Sequence, residues 1–352
     1  MLTIVHVAET IKGGVATVMS TLFESKYQNY CVIPNEQASC LNNKPDEVFT
    51  YKGVGRGLSP ILSMLARTVC VVRKVKPDVV YLHSSFSLLT APFIKLLFRD
   101  VYVIYQPHGV YYDPHVPRNI LKLALIKKVE KLLVYFVDLV ISISKYEMNL
   151  LEEVHGGSKI CLLKNSTRES KVLFSPTSLR SGYLFVGRLD EQKGIDRLID
   201  FWRSNCPNDV LNVVGESVRS DFSYKSSHSI KFHGWVDANQ LDKYYSSAQA
   251  VIVPSRWEGF GLVAIEAFRN GTPVIASDRG ALPELVTHAV TGYTFEFDDF
   301  DASLRRSMNL LSQTDDLVSM YENCYMEYVK SYSNISYIDR FENIVDGLVN
   351  VY

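Results

Sequence analysis

The stretch Ala250-Val251-Ile252-Val253-Pro254-Ser255-Arg256-Trp257-Glu258-Gly259-Phe260-Gly261-Leu262-Val263-Ala264-Ile265-Glu266-Ala267-Phe268 decides the architecture. Four apolar residues stop at Pro254. Such a run is too short for a helix and fits a strand covered on both faces of a parallel sheet. A loop with two glycines follows, and a helix is predicted to open near Phe260. A strand, a glycine loop and a helix make one half of a βαβ unit. In such sheets ligands meet the carboxyl ends of the strands, and a helix start offers free N–H groups to an anion.

The same alternation extends in both directions. Before residue 165, apolar runs at Leu2–Val7, Tyr30–Ile33, Asp78–Leu82, Val101–Tyr105, Leu139–Ile143 and Lys159–Leu163 are separated by helical patterns. These patterns cover Ser59–Val75, Phe86–Phe98, Pro117–Val137 and Lys145–Val154. A polar segment, Asn165–Gly182, reads as a linker. Strand patterns then resume at Tyr183–Val186, Val210–Val214, Ile230–His233, Ala250–Val253, Pro273–Ala276 and Tyr293–Phe295. Two successive βαβ series predict an α/β protein with two doubly wound, Rossmann-like domains, residues 1–165 and 166–335.

Candidate chemistry lies in the loops after these strands. Glu266 is the only charge between Leu262 and Phe268, in a helix read as buried. A carboxylate there needs partners; hydroxyls of a sugar or ribose would serve, and so would an Arg or a backbone amide. Val186-Gly187-Arg188-Leu189-Asp190-Glu191-Gln192-Lys193-Gly194 places two cations beside a strand end. A guanidinium fork and an ammonium suit a diphosphate, although a solvated turn uses the same residues. Gly13 and Gly14 follow the first strand and let backbone approach a phosphate or sugar closely. Their spacing is not that of a dinucleotide fingerprint. Gly53-Val54-Gly55-Arg56-Gly57 reads as a loop with no strand before it. His108 follows Gln106-Pro107 and faces the crevice if the strand is as drawn; a structural histidine is the alternative. Asp299-Phe300-Asp301 has the form of a metal-binding D-x-D, yet it precedes a helix expected near Ala302, where carboxylates cap and favour the dipole.

Composition narrows the classes. The six cysteines form no C-x-x-C pair, which argues against a zinc site and fits a reducing cytoplasm. The N-terminus lacks a basic leader, and no apolar run is long enough to span a membrane. Residues 1–165 carry 19 basic and 13 acidic side chains, and the remainder carries 18 and 25. The halves therefore differ in sign, but no basic stripe interleaved with aromatics points to nucleic acid. Pro117–Val137 holds Arg118, Lys122, Lys127, Lys128 and Lys131 among leucines. It reads either as an amphipathic helix on anionic lipid or as a core helix with a basic edge.

With these sites in place, the chain resembles the retaining family-4 glycosyltransferases of GT-B fold, of the bacterial surface-polysaccharide type. The resemblance rests on Glu258 and Glu266 with seven residues between them, on Val186–Gly194, on Lys12-Gly13-Gly14-Val15, and on Asn270–Ser277 and Gly280–Val286. It departs at Asn165-Ser166, where Asn-Gly is usual, and at Gly280-Ala281, where Gly-Gly is usual. The resemblance implies two domains facing across a cleft, with a final helix, residues 336–352, returning to the first. It implies that Arg188 and Lys193 neutralise the donor diphosphate, Glu266 binds ribose, and Glu258 holds the transferred sugar. Gly13, Gly14 and Gly187, with backbone amides of Phe260, Gly261 and Leu262, would line the diphosphate, and His108 would orient the sugar.

The partners so implied are a nucleotide-sugar donor, read as a UDP-sugar, and a saccharide or undecaprenyl-diphosphate-linked acceptor. The setting would be the cytoplasm, at the inner face of the membrane. No metal or other cofactor is expected, since two cations and a helix start can stabilise the leaving group. Retention with no carboxylate nucleophile implies attack on the face from which the phosphate departs. Two alternatives share these residues: a GT-B epimerase or hydrolase of nucleotide sugars, and a non-catalytic nucleotide-sugar-binding protein.

Overall fold

The structure is a computed structural model. It describes residues 1–11, 14–41, 43–53, 57–116, 118–206, 208–217, 225–314 and 316–350. The chain divides into two units: residues 1–165 with 334–352, and residues 166–333.

The first unit contains β1 (Thr3–Ala8), α1 (Gly14–Leu22), β2 (Gln28–Pro34), β3 (Glu47–Tyr51), α2 (Leu58–Val75), β4 (Val79–His83) and α3 (Ala91–Leu97). There follow β5 (Tyr102–Gln106), α4 (Ile120–Val134), β6 (Leu139–Ser142), α5 (Lys145–His155) and β7 (Ile160–Leu162). All seven strands are parallel, in the order β3-β2-β1-β4-β5-β6-β7. The order reverses between β1 and β4, which makes their carboxyl ends the crevice-forming edge. Aspartates at strand starts pin the register. Asp78, Asp46 and Asp138 accept the backbone N–H of Thr3, Asn29 and Val103 at 2.8, 2.7 and 2.7 Å.

The second unit contains β8 (Tyr183–Val186), α6 (Ile195–Asn205), β9 (Leu211–Val214), β10 (Ile230–Phe232), α7 (Ala238–Ser247), β11 (Ala250–Val253) and α8 (Leu262–Arg269). It continues with β12 (Val274–Ser277), α9 (Leu282–Leu285), β13 (Gly292–Phe295), α10 (Phe300–Ser312) and α11 (Leu317–Glu327). Its sheet is also parallel, in the order β10-β9-β8-β11-β12-β13, and reverses between β8 and β11. After α11 the chain passes through a π-helical turn at Tyr328–Tyr332. It then forms α12 (Asn334–Asn350), which belongs to the first unit. There Tyr337, Phe341 and Val345 are fully buried with Ile4, Tyr81 and Ile104.

Four expectations are corrected. A strand, β3, does precede the glycine loop at 53–57, of which residues 54–56 lie outside the described residues. The segment after Asn165 is no loose linker: Ser166 and Thr167 are buried, and Thr167 bridges to Ser333. The basic helix is neither clear of the core nor edged by lysines alone: Val134, Leu123 and Leu133 pack against the core, while Leu121, Leu125 and Leu132 are exposed with Lys122, Lys128 and Lys131. Asp299 occupies the N-cap position of α10 but makes no side-chain capping bond.

Candidate active site

Two loops leave the adjacent strands β8 and β11 at the switch point of the second unit, and they are tied together. Arg256 donates its backbone N–H to the Gln192 carbonyl at 2.8 Å, and its guanidinium grips Asp196 at 2.6 and 2.7 Å. Glycine makes this approach possible. Gly194 sits at φ +69°, and a Cβ there would lie 1.9 Å from the Pro254 carbonyl oxygen. Gly280 plays the same part for the next loop: at φ +59° its Cβ would lie 2.1 Å from the Glu258 carbonyl oxygen, which accepts from Ala281 N–H at 2.9 Å.

These contacts bring Lys193 and Glu258 together. Lys193 Nζ donates to Glu258 Oε2 at 2.5 Å, and Ser255 Oγ donates to the same oxygen at 3.2 Å. Both side chains are mostly buried, 19% and 13% exposed, whereas Arg188 is half exposed. Arg188 reaches Gln192 Oε1 at 2.6 Å and Asp190 Oδ2 at 3.2 Å. Asp190 in turn accepts the backbone N–H of Lys193 at 3.1 Å, which orders the turn. Gly187 supplies φ +148° at the end of β8.

Helix α8 opens at Leu262, two residues later than expected, because Gly261 takes the left-handed N-cap position at φ +105°. A Cβ on Gly261 would meet Leu282 at 2.9 Å. Phe260 is buried edge-to-face on Tyr332, so only its backbone is placed for binding. The helix is buried except along Leu262, Val263 and Glu266, one face by their i, i+4 spacing. Glu266 is thus partly open, not buried as its apolar neighbours suggested. Its Oε2 accepts from Tyr245 Oη at 2.8 Å, a partner that sequence reading missed. Burial, with the nearby Glu266 charge, holds the Tyr245 hydroxyl well above its ordinary pKa, so it stays a donor.

In the first unit, α1 begins at Gly14 and is the next element after β1, while Gly13 lies outside the described residues. His108 follows β5 in the left-handed conformation, φ +56°, half-buried, with Nε2 2.9 Å from Nδ1 of His83. Positive φ is uncommon for a non-glycine residue, although histidine adopts it more readily than most. Among the described residues no three His, Cys, Asp or Glu side chains gather as a metal site.

Known proteins similar to this chain give its family and fold. The model for Glycosyl transferases group 1 matches residues 180–326, and that for Glycosyltransferase Family 4 matches residues 32–167. A Klebsiella pneumoniae protein of 41.2 kDa from the cps region is 30% identical across 84% of this chain and 86% of its own. The Escherichia coli UDP-Gal:alpha-D-GlcNAc-diphosphoundecaprenol alpha-1,3-galactosyltransferase is 24% identical across 92% and 93%. Among solved structures, sucrose-phosphate synthase from Thermosynechococcus elongatus superposes with a TM-score of 0.82 at 19% identity, covering 99% of this chain and 100% of that one. Anabaena HepE in complex with UDP gives 0.80 at 17% identity, covering 98% and 100%. The chain belongs to the family-4 glycosyltransferases and has their GT-B fold.

Proposed function

We propose that this glycosyltransferase moves a sugar from a UDP-sugar, with retention and without a metal ion, to a saccharide or undecaprenyl-diphosphate-linked acceptor in bacterial surface-polysaccharide assembly. The Lys193–Glu258 pair at the switch point, flanked by Arg188, carries the reading. A diphosphate entering beside β8 would draw Lys193 and Arg188 off their carboxylates, neutralise the charge that develops as the nucleoside diphosphate leaves, and free Glu258 to accept sugar hydroxyls. The choice of UDP and of a lipid-linked acceptor draws support from the names of the relatives above. The deciding assay is nucleoside diphosphate release across a panel of UDP-sugars, with and without undecaprenyl-diphosphate-linked sugars. Release should require acceptor and persist in EDTA. Release without acceptor would favour the epimerase or hydrolase, and binding without turnover a binding protein.

Glu266→Ala should weaken binding of free UDP about tenfold or more, through loss of a charged hydrogen-bond acceptor. Tyr245→Phe, which removes only the hydroxyl that orients Glu266, should cost less. Equal UDP affinity in Glu266→Ala and wild type, measured by calorimetry, would remove the ribose assignment.

Helix α4 supports a membrane role. Leu121, Leu125 and Leu132 are 82%, 61% and 66% exposed along one face, and Lys128 interrupts that stripe. Phe93, Leu96 and Leu97 of α3 are exposed as well. Lys122, Lys128 and Lys131 are exposed, whereas Lys127 folds over the Tyr112 ring. Exposed leucines with lysines between them suit the boundary of an anionic bilayer. No helix among the described residues is long and apolar enough to cross a membrane. Co-sedimentation with anionic liposomes should be strong at low salt and weaker at physiological salt, and should fall with Leu121→Ser/Leu125→Ser. Absence of binding at both salts counts against this surface.

A further inference from the structure

His6, His83 and His108 lie 77 and 25 residues apart in sequence, on β1, β4 and just after β5, strands that are neighbours in the sheet. Their rings join end to end. His6 Nδ1 is 3.0 Å from His83 Nε2, and His83 Nδ1 is 2.9 Å from His108 Nε2. The far end closes on Asn29, whose Oδ1 is 3.0 Å from His6 Nε2. Successive rings stack nearly parallel, with centroids 5.3 and 5.2 Å apart.

The hydrogen-bond direction follows from one carbonyl. Asn29 Nδ2 donates to the Tyr27 carbonyl at 3.0 Å, and a carbonyl can only accept. The amide is therefore oriented, and Oδ1 must be its acceptor. Then His6 carries its proton on Nε2 and accepts at Nδ1. His83 must donate from Nε2 and accept at Nδ1, and His108 must donate from Nε2. Burial keeps the rings neutral, pushing His6 down to about 4, His108 to about 3 and His83 well below its ordinary value. A neutral ring has one donor and one acceptor, so the assignment is unique.

We propose that Asn29, His6 and His83 are positioning residues that fix the tautomer of His108, leaving its Nδ1 as an acceptor for a hydroxyl of the sugar substrate. His108 Nδ1 has no partner among the described residues, on a half-buried ring at the carboxyl edge of the sheet. The turn that carries it is anchored separately: Gly109 N–H donates to Glu147 Oε1 at 2.6 Å, and Ile143 N–H to Oε2 at 2.9 Å. The backbone is strained on both sides of the second link, with Ser84 at φ +108° and His108 at +56°. A tautomer fixed in advance binds a hydroxyl without first rearranging.

The sugar-binding half of this inference rests on the transferase reading; the tautomer half does not. Full-length protein with 15N-labelled histidine, read by long-range 1H–15N correlation at neutral pH, should show all three rings protonated at Nε2. H108F identifies the His108 signals. H6L removes the acceptor of His83, so His108 should populate both tautomers and affinity for UDP-galactose should fall about tenfold, with UDP affinity unchanged. H6Q can accept from His83 and donate to Asn29, and should restore both. A proton on Nδ1 of His108 in the wild type overturns the relay. So does an H6L protein whose His108 tautomer and UDP-galactose affinity match the wild type. Should H6L not fold, the wild-type spectrum and H6Q still decide. If UDP-galactose and UDP fail to bind every variant, the UDP-donor reading falls, and the spectrum separately judges the relay.

Discussion

Lys193→Ala should reduce donor turnover by about 10²- to 10³-fold, the usual effect of removing one preorganised group from a developing oxyanion. The fold should survive, since the lysine head meets Glu258 and Ser255 shares that carboxylate. Glu258→Ala should fall in the same range by another route, through loss of the sugar contact proposed for it. Because the two side chains are bonded to one another, the double variant should lose far less than the product of the singles. Arg188→Ala should cost at least about tenfold. That side chain is half exposed and must leave Gln192 and Asp190 before it meets phosphate. Nucleoside diphosphate release with a circular-dichroism control checks all four. Near-wild-type rates in Lys193→Ala and Arg188→Ala would remove the phosphate assignment.

Gly194→Ala should destabilise the second unit by roughly 3–5 kcal/mol, at the extreme of single substitutions. Two effects combine: a left-handed φ and a Cβ 1.9 Å from a carbonyl oxygen. Relief requires the β8 loop to move off the β11 loop, which breaks the Arg256–Gln192 backbone bond and separates Lys193 from Glu258. Activity should therefore be lost even at temperatures where the variant remains folded. Gly347 in α12 provides the contrast. It is exposed, has nothing within 4 Å of its Cβ position and no positive φ. Gly347→Ala should raise stability by about 0.5–1 kcal/mol. Thermal melts of both variants test the pair, and a Gly194→Ala protein as stable as wild type would refute the close-approach argument.

Some of this was legible in the sequence, and the misses have physical causes. Buried parallel strands announce themselves as unbroken apolar runs, and the loops that follow them hold Arg188, Lys193 and Glu258 as read. Strand β3, Glu47-Val48-Phe49-Thr50-Tyr51, went unseen because it lies at a sheet edge and mixes exposed with buried positions. Glu266 was read as buried from its neighbours, but a helix with two buried faces still leaves one stripe open. Tyr245 could not be assigned, because a hydrogen bond between α7 and α8 leaves no periodic trace; nor could Ser255, because its bond to Glu258 depends on how the loop after β11 folds. Nor could the histidine relay, since residues 6, 83 and 108 become neighbours only through the strand order β1-β4-β5.

The return of α12 to the first unit sets an order on biosynthesis. The sheet of that unit is fully translated by Leu162, yet Tyr337, Phe341 and Val345, which cover one of its faces, are made only after the 168 residues of the second unit. At 5–20 residues per second, the nascent chain carries an uncovered apolar sheet face for roughly 10–30 s. The second unit is contiguous and can complete its own core within that interval, before the first. A nascent chain arrested near residue 330 should therefore bind chaperones through its first unit and release them once the final helix has emerged.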